Sequence, residues 1–214
     1  METTVGATVD AGLSNCLREK HIAMPGPEAL IKPTKPDSRC TWTLIGDRLA
    51  QSLSGLSQSC QIQTNPTWRM GDYVELLHTK QIEIRYRKIV WLVGSQEFTM
   101  HRSQVSTIIA DILYRIYDVN PEACVYFCTL PPRSDHHKDI AAAIICFNWS
   151  LQKVVMKLKG YSNPPRMIRL HSIMLNGFLP KPHYFAEDGI LPSVYGAHRM
   201  VGFILQQIQN PSVD

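Results

Sequence analysis

A continuous apolar segment near the middle of the chain constrains the fold more than any other feature. From Arg87 to Gly94 the sequence reads Arg-Lys-Ile-Val-Trp-Leu-Val-Gly. Strands carry such runs when both of their faces are buried, as they are when helices cover both sides of a parallel sheet. The segment therefore predicts the central strand of an α/β sheet.

Strand-like and helical segments alternate along most of the sequence. We predict strands at about 41–46, 60–64, 87–94, 123–130 and 166–171. Helices are predicted at about 47–55, 70–78, 103–117, 139–159 and 195–209, where apolar residues recur at helical spacing. This alternation predicts a three-layer α/β/α fold of the flavodoxin-like kind, with a mostly parallel central sheet.

The N-terminal segment differs from the rest of the chain. Residues 1–39 mix Gly, Pro, Ser and Thr with scattered charge, and the prolines in Met24-Pro25-Gly26-Pro27 would break a helix. We predict a flexible tail or linker over 1–39 and a single domain over 40–210.

Composition and sequence pattern argue against several classes of protein. No apolar run approaches the roughly 18 residues of a membrane span, and no basic segment precedes an apolar stretch as in a secretory signal. The run Ile140–Phe147 is typical of a buried helix. The six cysteines contain no C-x-x-C pair, so we predict reduced thiols and no zinc site. A cytoplasmic protein without a membrane partner is expected.

Four short segments, in this order along the chain, resemble the sequence blocks of SGNH (GDSL-type) hydrolases. They are Gly46-Asp47-Arg48, Trp68–Gly71, Gly94–Glu97 and Asp188–Leu191, the last followed by a glycine and a final helix. Leu130-Pro131-Pro132-Arg133 also resembles the Pro-Arg ending of that family's fourth strand. The resemblance covers about residues 41–209 and implies the SGNH fold.

The resemblance also shows where this sequence departs from the family. The family has its nucleophilic serine where Arg48 stands, an oxyanion-hole asparagine where Gln96 stands, and a histidine base where Leu191 stands. Gly71 matches a glycine whose amide helps to stabilise the oxyanion. The positions of this degenerate site are Asp47, Arg48, Gly71, Gly94, Gln96, Asp188 and Leu191.

These departures predict that acyl transfer is lost. An arginine stays protonated and cannot attack an acyl carbon, but it can hold a phosphate. Without a histidine partner, Asp188 is predicted to support the turn at Asp188-Gly189. The alternative is a relocated site, in which for example Ser52 or Ser95 pairs with His183 or His198, and Ser193 is a further candidate nucleophile.

The basic residues are unevenly distributed. From Arg133 to Lys181 the chain has eight Lys or Arg against two Asp, which favours an anionic partner. Tyr86 lies among basic residues, and Trp149 precedes Lys153 and Lys157 at helical spacing, an arrangement that can neutralise phosphates and stack a base. The alternative is a solvated basic face with Trp149 in the core. The candidate RNA contacts are Arg48, Arg85, Arg87, Arg133, Lys153, Lys157, Arg166 and Arg169.

A silent SGNH-like domain with basic surfaces behind a flexible segment resembles the OSK domain of the Oskar family of insect germ-plasm proteins. The resemblance implies binding of single-stranded RNA, such as messenger RNA untranslated regions. It also implies assembly of ribonucleoprotein granules with germ-granule proteins, without hydrolysis, cofactor or small-molecule substrate. That family's N-terminal LOTUS domain has no counterpart in this sequence. A protein-binding scaffold is a further alternative.

The segment Asp135-His136-His137-Lys138-Asp139 contains metal-ligand residue types. Adjacent histidines in a helix project about 100° apart and rarely bind one ion together. We therefore predict that this segment is a polar loop capping the following helix, and that the protein holds no metal.

Overall fold

The computed structural model of the chain describes residues 40–96, 100–135, 138–158, 163–177 and 179–210. Its central sheet has five parallel strands, in the order β2-β1-β3-β4-β5. The strands are β1 Trp42–Gly46, β2 Cys60–Thr64, β3 Lys88–Leu92, β4 Cys124–Cys128 and β5 Arg166–Ile168. The predicted parallel α/β sheet is confirmed, and the tail predicted over 1–39 lies outside the described residues.

Helices connect the strands. They are α1 Arg48–Gln51, α2 Met70–His78, α3 Arg102–Val119, α4 Lys138–Lys157, α5 Leu170–Ile173 and α6 Val194–Gln209. A two-residue antiparallel pair, β6 Leu175–Asn176 and β7 Leu179–Pro180, and a 3₁₀ turn at Pro182–Tyr184 lie between α5 and α6.

Several predicted elements are shorter than expected, among them β3 and β4, and two of them end at residues that explain the difference. The helix predicted at 47–55 ends at Gln51, where the Ser52 hydroxyl donates to the Leu49 carbonyl and competes with the helical pattern. The strand predicted at 166–171 ends at Ile168, and Arg169 caps α5 instead. The pair β6–β7 was not predicted, because two-residue strands leave no periodic pattern.

The core is built on β3, as its apolar run predicts. Ile89, Val90, Trp91 and Leu92 are all fully buried. The Trp91 ring stacks on Phe127 of β4 with centroids 6.4 Å apart, and Tyr73 of α2 meets it edge-on at 5.5 Å. These rings tie the centre of the sheet to the helix layer that contains α2, and α3 packs between α2 and α4 in that layer.

The strand order creates a crevice at one edge of the sheet. The chain leaves β1 toward β2 on one side, whereas β3, β4 and β5 are added on the other side. The strand order therefore reverses between β1 and β3. At such a point the connections that leave the two strands run on opposite faces of the sheet, and a crevice opens beyond the carboxyl ends of the strands. Three of the four SGNH-like segments follow the carboxyl ends of β1, β2 and β3, and the fourth precedes α6.

Candidate functional site

Asp47 joins the ends of the two central strands. Its carboxylate is buried directly after β1 and accepts hydrogen bonds from the amides of Leu49 at 3.0 Å, Gly94 at 3.0 Å and Ser95 at 2.8 Å. Burial raises the pKa of Asp47, while the hydrogen bonds from Ser95, Leu49 and Gly94 act in the opposite direction. Asp47 therefore has a structural role in fixing the turn that follows β3.

Gly94 is required at that turn for two reasons. Its φ is 105°, a region that residues with a side chain rarely adopt. A Cβ at this position would also overlap the ring of Phe147, which packs on it from α4. The position therefore depends on the absence of a side chain.

Asp188 caps the turn before α6, as predicted from the sequence. Its Oδ1 accepts from the amides of Ile190 at 2.8 Å and Leu191 at 3.1 Å. The hydrogen bond from the Ile190 amide lowers the pKa of Asp188, and the charges of Arg48 and Arg133 lower it further. The carboxylate is therefore held ionised in a turn that lies near both arginines.

The Asp188 turn is docked on the loop that follows β4. The Ser134 amide donates to the Gly189 carbonyl at 2.8 Å, and Gly189 has a φ of 65°. A Cβ on Gly189 would collide with the backbone of Asp135. This contact brings the fourth SGNH-like segment to the carboxyl edge of the sheet.

A cavity of about 380 Å³ lies where these turns meet. It brings together four of the predicted site residues, which are Arg48, Gln96, Arg133 and Leu191. The full lining is Arg48, Leu49, Pro66, Ser95, Gln96, Leu130, Pro131, Arg133, Ile144, Ile190 and Leu191. Gly71, predicted by resemblance to face the same site, is exposed in the first turn of α2 and is not part of this lining.

The polar side chains of the cavity have different partners. Arg133 forms an ion pair with Asp135, and the Gln96 amide donates to the Pro66 carbonyl. Arg48, the first residue of α1, is exposed. The cavity therefore presents a guanidinium at the position where the sequence resemblance places a serine.

The serines considered for a relocated site are occupied by other hydrogen bonds. The Ser52 hydroxyl donates to the Leu49 carbonyl at 2.6 Å, and the Ser193 hydroxyl donates to the backbone carbonyl of His183 at 2.8 Å. Ser95 lines the cavity, its amide donates to the Asp47 carboxylate at 2.8 Å, and its side chain lowers the pKa of Asp47. Ser95 is thus the serine of the cavity lining, and the carboxylate beside it is that of Asp47.

Hydroxyl–imidazole pairs occur elsewhere in the described parts of the chain. Ser103 and His101 lie 2.7 Å apart at the start of α3, and Thr129 and His171 lie 2.9 Å apart after β4. None of these four residues belongs to the lining of the cavity. His136 and His137 lie outside the described residues, so their predicted loop is not tested.

The predicted RNA contacts do not form one surface. Because the strands are parallel, Arg87 before β3 and Arg166 at the start of β5 lie toward the amino edge of the sheet. Arg48, Arg133 and Arg169 follow strand ends and lie toward the carboxyl edge. Arg85, near Arg87, forms an ion pair with Glu83.

The outward face of α4 is open and apolar, with lysines in its second half. Ile145, Trp149 and Met156 are 69%, 49% and 56% exposed, and Lys153 Nζ lies 3.8 Å from the centroid of the Trp149 ring. The alternative with Trp149 in the core is therefore wrong. The run Ile140–Phe147 is only partly buried, because Ile145 and Cys146 face outward.

The ring of Tyr86 cannot provide the stacking that its sequence position suggested. Tyr86 is only 8% exposed and belongs to the core, although Arg85 and Arg87 beside it are exposed. Charged residues flank buried aromatic residues as well as exposed ones, so the sequence pattern did not distinguish the two.

Comparisons with known proteins bear on the fold. A GDSL-like lipase from Bacteroides thetaiotaomicron is 14% identical in sequence and superimposes with a TM-score of 0.64. The superposition covers 78% of this chain and 87% of the lipase chain. A lipase/acylhydrolase from Enterococcus faecalis is 16% identical over 78% of this chain and 95% of its own, with a TM-score of 0.62. An inferred acylhydrolase from Bacteroides fragilis is 16% identical over 82% of this chain and 90% of its own, with a TM-score of 0.67.

The fold is that of the SGNH hydrolases. At these identities the likeness concerns the SGNH fold alone, and the activities named are those of the bacterial proteins. No protein-family model matches the sequence, and no curated protein matches it. The resemblance to the OSK domain therefore stays a prediction.

Sequence reasoning missed part of the SGNH-like cavity. Ile144 reaches the cavity from α4, Pro66 from the loop after β2, and Ile190 from the turn before α6. These residues carry no motif, and only the folded chain brings them together. The position of Ser95 beside the Asp47 carboxylate likewise has no signal in the sequence.

The described cysteines and acidic residues offer no additional site. Cys40, Cys60, Cys124, Cys128 and Cys146 are free thiols, as predicted for these five. Among the described residues, no group of three or more His, Cys, Asp or Glu is placed to hold a metal ion.

Proposed function

We propose that this chain is an SGNH-fold domain that binds single-stranded RNA and does not hydrolyse esters. The observation that carries the second part is that Arg48 and Leu191 line one cavity at the carboxyl ends of the strands. Hydrolysis by this family requires a hydroxyl nucleophile and an imidazole base in contact with each other. A guanidinium and an isobutyl group supply neither.

The RNA-binding part rests on the outward face of α4, which we define by Trp149, Lys153 and Lys157. From residue 140 to the end of α4 the sequence has no carboxylate, so the two lysines meet no acidic residue along their own helix. Ammonium groups can neutralise phosphates, and an exposed indole can stack on an unpaired base. Because Lys153 already lies over the indole, a phosphate and a base could be bound at neighbouring points.

The resemblance to the OSK domain supports a more specific proposal. We infer that the RNA is messenger RNA, bound in the cytoplasm in untranslated regions, and that the domain supports assembly of germ-plasm ribonucleoprotein granules. The support is the resemblance together with the charge and aromatic exposure of the α4 face. Co-purification of the tagged protein from early embryos would test it, with enrichment of messenger RNA as the expected result.

Ultraviolet crosslinking to a labelled single-stranded RNA, followed by peptide mapping, tests RNA binding directly. Crosslinks are expected in the peptide that spans Trp149 to Lys157. Crosslinks confined to residues around Arg85 and Arg87 would place RNA at the amino edge of the sheet instead. Absence of RNA retention near 100 mM salt, where the Debye length is about 10 Å, would overturn the proposal.

Ester hydrolysis is the competing function, and one observation favours it. Ser95 lines the cavity beside the Asp47 carboxylate, which places a hydroxyl next to an acidic group in a fold that lipases and acylhydrolases share. Short-chain 4-nitrophenyl esters should be assayed with the wild type, Ser95→Ala and, as a control at an exposed serine, Ser54→Ala. Turnover that Ser95→Ala abolishes and Ser54→Ala retains would show a relocated active site.

A protein-binding scaffold would use the same α4 face differently. The scaffold hypothesis predicts that substituting Ile145 or Met156 abolishes binding of a partner protein. It also predicts that the domain has no affinity for RNA at physiological salt. RNA retention that survives an excess of competing protein would exclude the scaffold hypothesis.

A further inference from the structure

We propose that a second cavity, at the amino edge of the sheet, binds a free α-amino acid with an apolar side chain. The cavity measures about 420 Å³ and lies between the end of α2, the segment that leads into β3 and the end of α3. We call it the amino-edge cavity. It shares no residue with the SGNH-like cavity or with the α4 face, so the proposal does not depend on RNA binding.

Two amide side chains hold the segment that leads into β3. Gln63 of β2 donates from Nε2 to the Glu83 carbonyl at 2.6 Å and accepts from the Glu83 amide at 2.9 Å. At the end of α3, Asn120 Nδ2 donates to the carbonyls of Ile84 at 2.7 Å and Tyr86 at 3.2 Å. The backbone that carries Glu83 is therefore fixed before a ligand arrives, as in other preformed sites.

One carboxylate oxygen of Glu83 lacks a hydrogen-bond donor. Oε1 forms an ion pair with Arg85, whereas Oε2 is buried and has no partner among the described residues. A buried polar atom without a partner is costly, so its presence needs an explanation. The Glu83 side chain lines the cavity and is 22% exposed, and the terminal torsion of a glutamate turns easily. A small rotation therefore presents Oε2 to a donor in the cavity, such as an ammonium group.

Lys80 supplies an opposite charge at the rim of the amino-edge cavity. It is exposed, and no hydrogen bond or ion pair engages its ammonium group within the described parts of the chain. Its φ is 56°, a left-handed conformation that favours glycine just after a helix. A lysine here costs backbone energy that a glycine would not, as is found where a side chain serves a function.

The charges of the amino-edge cavity select a zwitterion. A cation alone would be repelled by Lys80 and Arg85, and an anion alone would leave Glu83 Oε2 without a donor. A free α-amino acid satisfies both ends, with its ammonium on Glu83 and its carboxylate on Lys80. Each contact is a charge-assisted hydrogen bond, which is about twice as strong as a neutral one.

The floor of the amino-edge cavity is aliphatic and selects an apolar side chain. It is formed by Leu77, Ile82, Ile84 and Val119. The first three are buried in the core, whereas Val119 is 53% exposed at the end of α3. A hydrocarbon side chain of the ligand would remove this surface from water. Ligand pockets generally measure about 300–1,000 Å³, so a cavity of about 420 Å³ accommodates an amino acid as large as leucine.

A ligand series with the wild-type protein tests each contact. Isothermal titration calorimetry would compare L-leucine with L-alanine, N-acetyl-L-leucine and L-leucinamide. Leucine should bind more tightly than alanine by about fourfold for each additional carbon. N-acetyl-leucine lacks the ammonium and leucinamide lacks the carboxylate, so each should bind at least about tenfold more weakly than leucine.

Two variants and one control assign these contacts to residues. Glu83→Gln should weaken leucine binding about tenfold or more, whereas Glu75→Gln, at an exposed glutamate of α2, should leave it unchanged. Lys80→Gly should also weaken leucine binding about tenfold. The same variant should raise the midpoint of urea unfolding, because glycine adopts the left-handed conformation without strain. A merely structural lysine would not lower affinity while its replacement raises stability. Circular dichroism establishes that each variant is folded.

Several outcomes would overturn the proposal. Absence of leucine binding at millimolar concentration would exclude the amino-edge cavity as an amino-acid site. Equal affinity for leucine and alanine would exclude the aliphatic floor. Equal affinity for leucine and N-acetyl-leucine would exclude Glu83 as the anchor, and unchanged binding in folded Lys80→Gly would exclude the lysine. A failure of RNA binding would overturn the proposed function and leave this proposal standing.

Discussion

The carboxyl end of the sheet and the outward face of α4 are built on different principles. At the carboxyl end, Asp47 is held by backbone amides and Gly94 has no room for a side chain. On the α4 face, Trp149 and Met156 are about half exposed, and Lys153 Nζ lies 3.8 Å from the centroid of the exposed indole. The first region resists substitution because the fold depends on it. Substitutions in the second should change binding and leave the fold intact.

The largest effect is expected on stability at the first region. Gly94→Ala places a side chain at a positive φ and against the Phe147 ring, so unfolding free energy should fall by about 3 kcal/mol. Urea denaturation measures the change. Gly202→Ala is the matched control, because Gly202 lies in α6 with no atom within 4 Å of an added Cβ, and it should be neutral or slightly stabilising. Equal destabilisation by both variants would show that Gly94 has no special requirement at this turn.

The next effect is expected on RNA affinity at the second region. Lys153→Gln/Lys157→Gln should reduce affinity about 25-fold at 0.1 M salt and lower the log–log salt slope by about 1.4, since each phosphate contact on a single strand contributes about 0.7. Fluorescence anisotropy over a salt series gives both numbers. Stability should change by less than about 0.5 kcal/mol, because exposed lysines contribute little to it.

Two controls sharpen that measurement. Lys80→Gln/Arg199→Gln removes the same charge at exposed residues outside α4 and should alter RNA affinity far less. Arg48→Gln, at the cavity, should leave RNA affinity within about twofold. A loss in Arg48→Gln as large as in the α4 double variant would mean that RNA reaches both regions.

The smallest effect is expected from the indole. Trp149→Ala should weaken RNA binding about fivefold without changing the salt slope, because base stacking is independent of counterion release. Tyr114→Ala on α3 is a matched aromatic control, since Tyr114 is 67% exposed and lies near Arg115 as Trp149 lies near Lys153. Equal losses in the two variants would argue against a specific role for Trp149.

The sequence predicted the fold well because the strong signals were local. The apolar run of β3, the helical spacing of apolar residues in α3 and the Asp-Gly pair at Asp188-Gly189 each predict the local structure from neighbouring residues alone. The cavity wall was not predictable in the same way, since Pro66, Ile144 and Ile190 are brought together only by the chain's long-range path. Exposure was also hard to predict, because a buried Tyr86 and an exposed Trp149 both stand among basic residues.

The hydrogen bonds of Asp47 have a consequence for how relatives of this chain can be recognised. Two of its three amide partners, Gly94 and Ser95, lie in the turn after β3, and the third, Leu49, lies in α1. None of these hydrogen bonds involves the side chain of Arg48, so that side chain can change without moving the backbone. The architecture around the cavity can therefore be kept when the side chain at this position changes. Distant relatives are better sought by Gly46-Asp47, Gly94 and Asp188-Gly189 at the right separations than by any nucleophile.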